Sequence, residues 1–435
     1  MCRSDRARGE GLRIYLVDPH DTLPGELWGN SRAVLLAEYL SRAGHTVVWW
    51  ASAFSHNSKT FRATDWEDRR VSAGLTVRIV PVPGYSRHVS LARLWSLWLF
   101  GWRTYRRAIR DSIRPDCIVL TLPAPGSDLL ISGLARRLGI PLVTDLRDLW
   151  PELFVAVLPT LLRPAAGILA APILWCRRVA MRRADGLVAV SQTYLQVART
   201  EAQRPSNDVM VKCIPWGPTF SSGSCDGRAA EFSRMDSGGV VKEPGEIWAI
   251  YAGTLGEQYD IPTLLEAARI LARTGNEAGI RIVVAGDGPM RQLVEEFTGC
   301  DGYEVLRYVG RVDPKCLAGY YGLADIGICP YSADSTVSLP IKAFDCFAAG
   351  IPVVSSLRGE LERLLREERA GLQYEAGNPK SLAAAIRVLA GDKAKREEAG
   401  RNSLKVGERF RSDALYSTFV ELIEAVACTR PNSRG

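Results

Sequence analysis

The sequence predicts an α/β protein of two doubly wound parallel-sheet domains, and three observations carry that prediction. Short apolar runs alternate with helical periodicity along the chain. The alternation breaks once, over 217–245, and then restarts. The chain has 435 residues, 47% hydrophobic and 24% charged, enough for two domains each with its own core. Those proportions exclude disordered, collagen-like and small disulfide-stapled classes.

From Leu12 the run Leu-Arg-Ile-Tyr-Leu-Val reads as a buried strand, a loop follows over 18–30, and helical spacing over 31–43 stops at Gly44. Strand 45–50 closes a β-α-β unit, whose crossover argues for parallel pairing. The rhythm continues with strand 75–80, a helix near 90–112, strand 116–121, helix 127–138 and strand 140–145. A helix near 165–183, strand 186–190, helix 192–203 and strand 209–214 complete it. Residues 217–245 are rich in Gly, Ser and Pro and read as a linker, which puts the first domain at 11–216. A second domain, 246–408, repeats the pattern with strands 247–253, 280–285, 304–308, 325–329 and 351–355. Its helices are expected at 261–273, 289–297, 314–322, 340–349 and 379–390. A last helix, near 411–427, falls in the C-terminal segment 409–428. Ligands of such sheets collect beyond the carboxyl ends of the strands, so two in tandem predict a central cleft with one substrate on each side.

Net charge is +7 and unevenly spread: residues 1–215 hold 29 basic and 18 acidic side chains, the remainder 26 and 30. The first half is therefore the one expected to face something anionic. The ten cysteines form no Cys-x-x-Cys pair, and the four histidines (His20, His45, His56, His88) all precede residue 90. No structural zinc and no cofactor is expected from that pattern. The first residues show no secretory signal, and the longest apolar runs, 91–102 and 165–176, fall short of the roughly 20 residues that span a bilayer. A reduced, cytoplasmic protein is the expectation.

Three segments carry chemistry. Tyr-Ala-Gly-Thr-Leu-Gly at 251–256 places Gly253, Thr254, Leu255 and Gly256 directly after a strand, where glycine lets backbone N–H groups approach an anion. Val-Val-Ala-Gly-Asp-Gly-Pro at 283–289 ends a strand in Gly286-Asp287-Gly288, with Pro289 where a helix would begin. In the third, 335–354, Pro340 opens a helix, Lys342 lies in its first turn and Asp345 follows three residues on. A cation in a first helical turn opposes the helix dipole, so it makes better sense beside an anionic ligand; a solvated Lys–Asp surface pair is the alternative. No Gly-x-Gly-x-x-Gly motif is present, which argues against a nicotinamide or flavin enzyme.

In this order and spacing the segments resemble glycosyltransferase family 4, the retaining nucleotide-sugar transferases of the GT-B fold. The resemblance runs on through Val309-Gly310-Arg311-Val312, Ala324-Asp325-Ile326 and Ala349-Gly350-Ile351-Pro352-Val353, covering about 247–375. It implies two Rossmann-like domains, the second binding a nucleotide-diphosphate sugar and the first an acceptor, with the final helix crossing back to the first. Asp345 matches the family's ribose-contacting acid, and the earlier of the family's two glutamates falls on Val337, next to Ser338. The diphosphate is assigned to the N–H groups of Gly253 to Gly256, to Lys342 and to Arg311, with Gly286, Asp287, Gly288 and Gly310 completing the donor site. Asp145-Leu146-Arg147-Asp148-Leu149-Trp150-Pro151-Glu152 is similar to a segment of members that build bacterial surface polysaccharides. There the usual acceptor-domain histidine is replaced by Arg147, with Asp148 beside it, so both join Lys342 and Asp345 as candidate catalytic residues. Gly29-Asn30-Ser31-Arg32 and Ala184-Asp185-Gly186-Leu187-Val188-Ala189-Val190-Ser191 match more loosely. The implied reaction moves a sugar onto a lipid-linked or polysaccharide acceptor with retention, using neither a protein nucleophile nor a metal.

Nine of the eleven tryptophans precede residue 200. Leu91, Trp95, Trp98, Trp102 and Tyr105 share one helical arc, flanked by Arg103, Arg106, Arg107 and Arg110. A second apolar stretch, 161–183, ends in Arg177, Arg178, Arg182 and Arg183. Basic helices with tryptophan suit an anionic membrane surface, here the inner face of the cell membrane; the alternative is that both arcs pack on the first sheet. No nucleic-acid-binding module is present. A nucleotide-sugar epimerase and a non-catalytic binding subunit of the same fold stay open as other readings.

Overall fold

The structure of the chain, a computed structural model, describes residues 11–26, 31–87, 89–152, 155, 158–220, 241–274, 279–300 and 305–429. It forms two compact units, one of residues up to Pro215 together with those from Leu415, the other Trp216–Ala414. Of the expected linker, 221–240 lie outside the described residues, as do Gly29 and Asn30.

The first unit is an eight-stranded sheet in the order β3-β4-β2-β1-β5-β6-β7-β8. Its strands are β1 (Arg13–Val17), β2 (Thr46–Ser52), β3 (Glu67–Arg70), β4 (Leu75–Val80), β5 (Cys117–Leu122), β6 (Leu142–Leu146), β7 (Gly186–Ala189) and β8 (Val211–Cys213). All neighbours are parallel except β3 and β4. Strands β5 and β6 are buried at every residue, as a sheet covered on both faces requires. β3 reads Glu-Asp-Arg-Arg, so it has no apolar residue to announce it. It pairs antiparallel with β4, setting Asp68 opposite Arg78 at 2.9 Å, and its charge discourages further pairing at that edge. The last helix, Ser412–Cys428, belongs to this unit's core through Tyr416, Phe419 and Ile423, which share one cluster with Leu16, Val47 and Val119.

The helix Leu91–Ala108 starts at Ser90, whose hydroxyl accepts the Arg93 N–H at 3.2 Å. Its buried face is Arg93, Ser96, Leu97, Phe100, Gly101, Thr104 and Ala108. A Cβ on Gly101 would stand 2.7 Å from the Ser127 backbone, so glycine brings this helix close against the helix Ser127–Leu138. That contact turns the tryptophan arc outward: Trp95 is 58% exposed, Trp98 46% and Trp102 37%. The arc does not pack on the sheet.

The helix Arg163–Arg183 behaves differently from expectation in its basic half. Arg177 is fully buried and bonded to Glu152 and Glu201; Arg178 pairs with Glu201 at 3.3 Å. Arg182 donates to the Glu201 carbonyl and Arg183 to the Leu129 carbonyl and Ser132 hydroxyl. These four arginines fasten the helix to its own unit. Its apolar half stays out, with Ile168, Leu169 and Trp175 exposed.

The second unit is a six-stranded parallel sheet in the order β11-β10-β9-β12-β13-β14. The strands are β9 (Ile247–Ala252), β10 (Ile280–Ala285), β11 (Leu306–Gly310), β12 (Ile326–Cys329), β13 (Val353–Ser355) and β14 (Gly371–Gln373). The alternation in β9 feeds two cores, Ala249 and Tyr251 on one face, Trp248 and Ile250 on the other. The helix expected from Pro289 begins two residues later, at Arg291, because Pro289 and Met290 form a turn. The strand expected at 304–308 is shifted likewise to Leu306–Gly310. The helix Ile341–Ala348 is pressed by Lys393–Arg409, a helix polar enough to escape periodicity reading. Added Cβ atoms on Gly400 and Gly407 would lie 2.6 Å from the Gly350 and Phe347 carbonyl oxygens, so the two helices meet backbone to backbone.

Candidate active site

In the second unit three strand ends build a shelf of glycine backbone. The Gly253 N–H donates to the Ala285 carbonyl at 2.9 Å and the Leu255 N–H to the Asp287 carbonyl at 3.0 Å, tying the loops after β9 and β10 together. The Gly286 N–H reaches the Gly310 carbonyl at 2.7 Å, which adds the end of β11. A Cβ on Gly286 would sit 1.8 Å from the Gly253 oxygen, so no other residue fits there. Asp287 is exposed, its carboxylate accepting the Gly288 N–H at 2.9 Å, and Arg311 is exposed beside Gly310.

This ladder corrects the expected diphosphate contacts. Two of the four N–H groups, those of Gly253 and Leu255, are already spent on backbone carbonyls. Among the described residues only the Thr254 and Gly256 N–H groups of that loop stand without a partner.

Lys342 lies across the shelf. A Cβ on Gly253 would meet its Cε at 2.3 Å, so the absence of a side chain at 253 makes room for the lysine stem. The ammonium stands 3.8 Å from the Tyr259 ring centre and 5.5 Å from that of Tyr251, held by the π-faces. Burial pushes the Tyr259 hydroxyl up, but the Lys342 charge and hydrogen bonds from Gln258 and Lys342 bring it below its ordinary value.

Asp345 is no surface partner for Lys342. It is 4% exposed, and its Oδ1 accepts both the Thr219 N–H at 2.7 Å and the Thr219 hydroxyl at 2.9 Å. Burial raises its carboxyl to about 7, against the lowering by those two bonds and by Lys342. Ser338 is buried and its hydroxyl donates to Glu360 at 2.7 Å. Glu360, in the first turn of the helix Glu360–Glu368, was not anticipated. Val337 is 36% exposed.

In the first unit the carboxyl ends of β1 and β6 carry side-chain charges. The Arg147 guanidinium lies 2.6 Å from Asp18, 2.6 Å from Asp21 and 2.8 Å from Asp145. Asp145 also receives Arg32, at 2.8 and 3.0 Å, and Arg32 is itself fully buried. Burial pushes the Asp18 and Asp145 carboxyls up, yet the adjacent guanidiniums leave both below their ordinary range. Asp21 ends up at about 6, raised chiefly by burial. Arg147 is thus held among three carboxylates. Asp148 is accessible to solvent, while the protein around it pushes its carboxyl up to about 6 against Arg93 and Arg147.

Beside Asp148 stands Arg93, and around Arg93 stand His20, Lys59 and Tyr85, none of which sequence reading placed in a site. Arg93 is 9% exposed and stacks over the Trp150 ring at 4.9 Å. Burial first, then the Arg93 charge, lowers His20 to about 4, so it is neutral at physiological pH. The available signal was position: Asp18-Pro19-His20-Asp21 directly follows a strand end, where such sheets bind ligands.

Among the described residues no group of three His, Cys, Asp or Glu side chains could hold a metal ion, and no helix is long and apolar enough to cross a membrane.

Comparison with known proteins agrees with this arrangement. The family described as "Glycosyl transferase 4-like domain" matches residues 29–213 and that described as "Glycosyl transferases group 1" matches 246–392. The α-D-kanosaminyltransferase of Streptomyces kanamyceticus is 22% identical over 274 residues, 62% of this chain and 66%, just under two thirds, of that enzyme. The phosphatidyl-myo-inositol mannosyltransferase of Mycobacterium leprae is 27% identical over 419 residues, 96% of this chain and 97% of its own length. Among solved structures, HepE from Anabaena in complex with UDP superposes with a TM-score of 0.65 at 14% identity, covering 95% of this chain and all of that one. The two family matches divide at the same place as the two units, each sheet taking one, and the chain belongs to the glycosyltransferases of the family 4 type, with the GT-B fold.

Proposed function

We propose that the chain is a retaining, metal-independent glycosyltransferase that moves a sugar from a nucleotide-diphosphate sugar to a lipid-linked or polysaccharide acceptor. The observation that carries this reading is Lys342 laid over the glycine shelf, a fixed cation beside unclaimed N–H groups at strand ends. A departing diphosphate gains charge as the bond breaks, and preorganised donors there stabilise it without reorganising. The acceptor hydroxyl attacks C1 from the face that the diphosphate leaves. The new C1–O bond forms as the C1–O bond to phosphate breaks, and the hydroxyl proton passes to a departing phosphate oxygen. The UDP bound to HepE and the phosphatidyl-myo-inositol in the mycobacterial relative's name support a nucleotide-sugar donor and a lipid acceptor.

The test is release of nucleoside diphosphate from a panel of sugar nucleotides, with and without EDTA, followed by NMR assignment of the product anomer. Turnover in EDTA with an unchanged anomer is expected. Loss of turnover in EDTA removes the metal-independent reading, and an inverted anomer removes the retaining one.

The acceptor reading includes peripheral attachment to an anionic membrane on the cytoplasmic side. Its support is the outward arc of the Leu91–Ala108 helix beside a recess of about 650 Å³, where Trp66, Trp102 and four arginines (Arg103, Arg106, Arg107, Arg110) outnumber the acids Asp65 and Asp111. Exposed tryptophan next to arginine suits the headgroup region. Flotation with phosphatidylglycerol vesicles should fall severalfold in the double variant Trp95→Ser, Trp98→Ser. Equal flotation of the variant contradicts attachment through this helix.

A further inference from the structure

A cluster in the first unit brings two cations, Lys59 and Arg93, to one tyrosine, Tyr85. It gathers four segments that follow the carboxyl ends of β1, β2, β4 and β6, the positions where a parallel sheet receives a ligand. Lys59 comes from the tight loop after β2, where the Ser55 N–H bonds the Thr60 carbonyl and Phe54 bridges Phe61. Its backbone is left-handed, φ 57°, a conformation that ordinarily goes to glycine or asparagine. The loop accepts that conformation and in return aims the lysine inward. Its Nζ is buried, lies 4.8 Å over the Tyr85 ring and has no hydrogen-bond partner among the described residues.

A buried ammonium without an acceptor is costly, and its neighbours do not relieve it. Tyr85 holds His56 at 2.8 Å through its hydroxyl. Arg93 bears on the same tyrosine and stacks on Trp150. Burial and Arg93 both lower the Lys59 pKa, as expected of two cations sharing one enclosure. Asp148 is a carboxylate in reach of Arg93.

We propose that Lys59 and Arg93, walled by Tyr85 and Trp150, form an anion subsite that binds a phosphate group of the acceptor. A doubly charged phosphate matches two cations that meet at one tyrosine, Lys59 over its ring and Arg93 at its hydroxyl. The inference rests on the reading of this unit as the acceptor-binding one. The phosphate belongs either to a soluble phosphorylated sugar or to a lipid headgroup, and both present the same oxygens to the site.

The experiment is calorimetric titration of the full chain, in saturating UDP to occupy the donor side, with three probes: inorganic phosphate, glucose 6-phosphate and dihexanoyl phosphatidylglycerol. Saturable binding of at least one probe is expected. It should weaken about tenfold or more in Lys59→Gln and in Arg93→Gln, and stay unchanged in Lys380→Gln, which removes an equal charge elsewhere. Binding of a soluble probe points to a phosphorylated sugar, and binding of the lipid alone to a headgroup; either supports the subsite. Melting temperatures control for folding, and if Arg93→Gln is unstable, Lys59→Gln decides alone. No saturable binding, or equal binding by wild type and Lys59→Gln, overturns the proposal. Failure of nucleoside diphosphate release would instead sink the transferase reading and leave the phosphate titration standing as measured.

Discussion

At the carboxyl ends of their strands the two units are furnished in opposite ways. The second uses backbone: glycines at 253 and 286 let three strand ends meet, and Lys342 is laid across them. The first uses side chains: Arg147 and Arg32 sit among Asp18, Asp21 and Asp145, all buried or nearly so, with Arg93 and Lys59 beyond. A backbone shelf accommodates an anion whatever sugar it carries, because N–H groups read phosphate and little else. Side-chain clusters differ with every substitution, so they suit recognition of one particular acceptor.

The contrast can be broken at several points. The largest stability loss is expected from Arg147→Met, which leaves Asp18 and Asp21 buried without their cation and should cost about 3–5 kcal/mol in urea unfolding. That loss should shrink as pH falls toward the carboxylate range, since protonation removes the uncompensated charge. A pH-independent loss would mean that packing, not charge, dominates the first unit's site.

Asp345 gives the second unit's own pH signature. Its carboxyl is raised by burial to about 7, so between the ordinary carboxylate value and about 7 the folded state holds a proton that the unfolded state releases. Stability from this group is therefore full at low pH and is lost as pH rises through about 7, a change on the order of a few kcal/mol. Asp345→Asn should flatten that decline, as read from melting temperature against pH. An unchanged slope contradicts the buried, uncompensated carboxylate.

Gly286→Ala comes next. The added methyl collides with the Gly253 carbonyl, so the shelf must open at a cost of about 1–3 kcal/mol, the same at every pH, with slower donor turnover. A variant of wild-type stability and rate would show that the shelf tolerates displacement.

The second unit's site was largely legible in the sequence because its parts are local. Tyr251 to Gly256, Gly286 to Pro289 and Pro340 to Asp345 are short segments, each at a strand or helix end, and their glycines mark where backbone comes close. What escaped was which N–H groups the strand ends consume on one another, since that depends on register between loops. The first unit's site was mostly illegible for the opposite reason. Arg147 meets Asp21 across 126 positions and Arg32 meets Asp145 across 113, and neither residue type announces a partner so distant. Fold followed the same rule: apolar strands were plain, while the all-charged β3 and the polar helix Lys393–Arg409 left no periodic trace. Arginines at 177–183 read as a basic face but are bonded within their own unit, to Glu152, Glu201, Leu129 and Ser132.

The most direct measurement compares nucleoside diphosphate release by wild type and Lys342→Gln at matched melting temperatures. The lysine is half-buried over tyrosine faces and its stem rests on Gly253, so glutamine should fit without unfolding the unit. Loss of the cation that neutralises the departing diphosphate should lower the rate about 100-fold or more. Equal rates in two equally stable proteins would contradict the assignment of the donor site to this shelf.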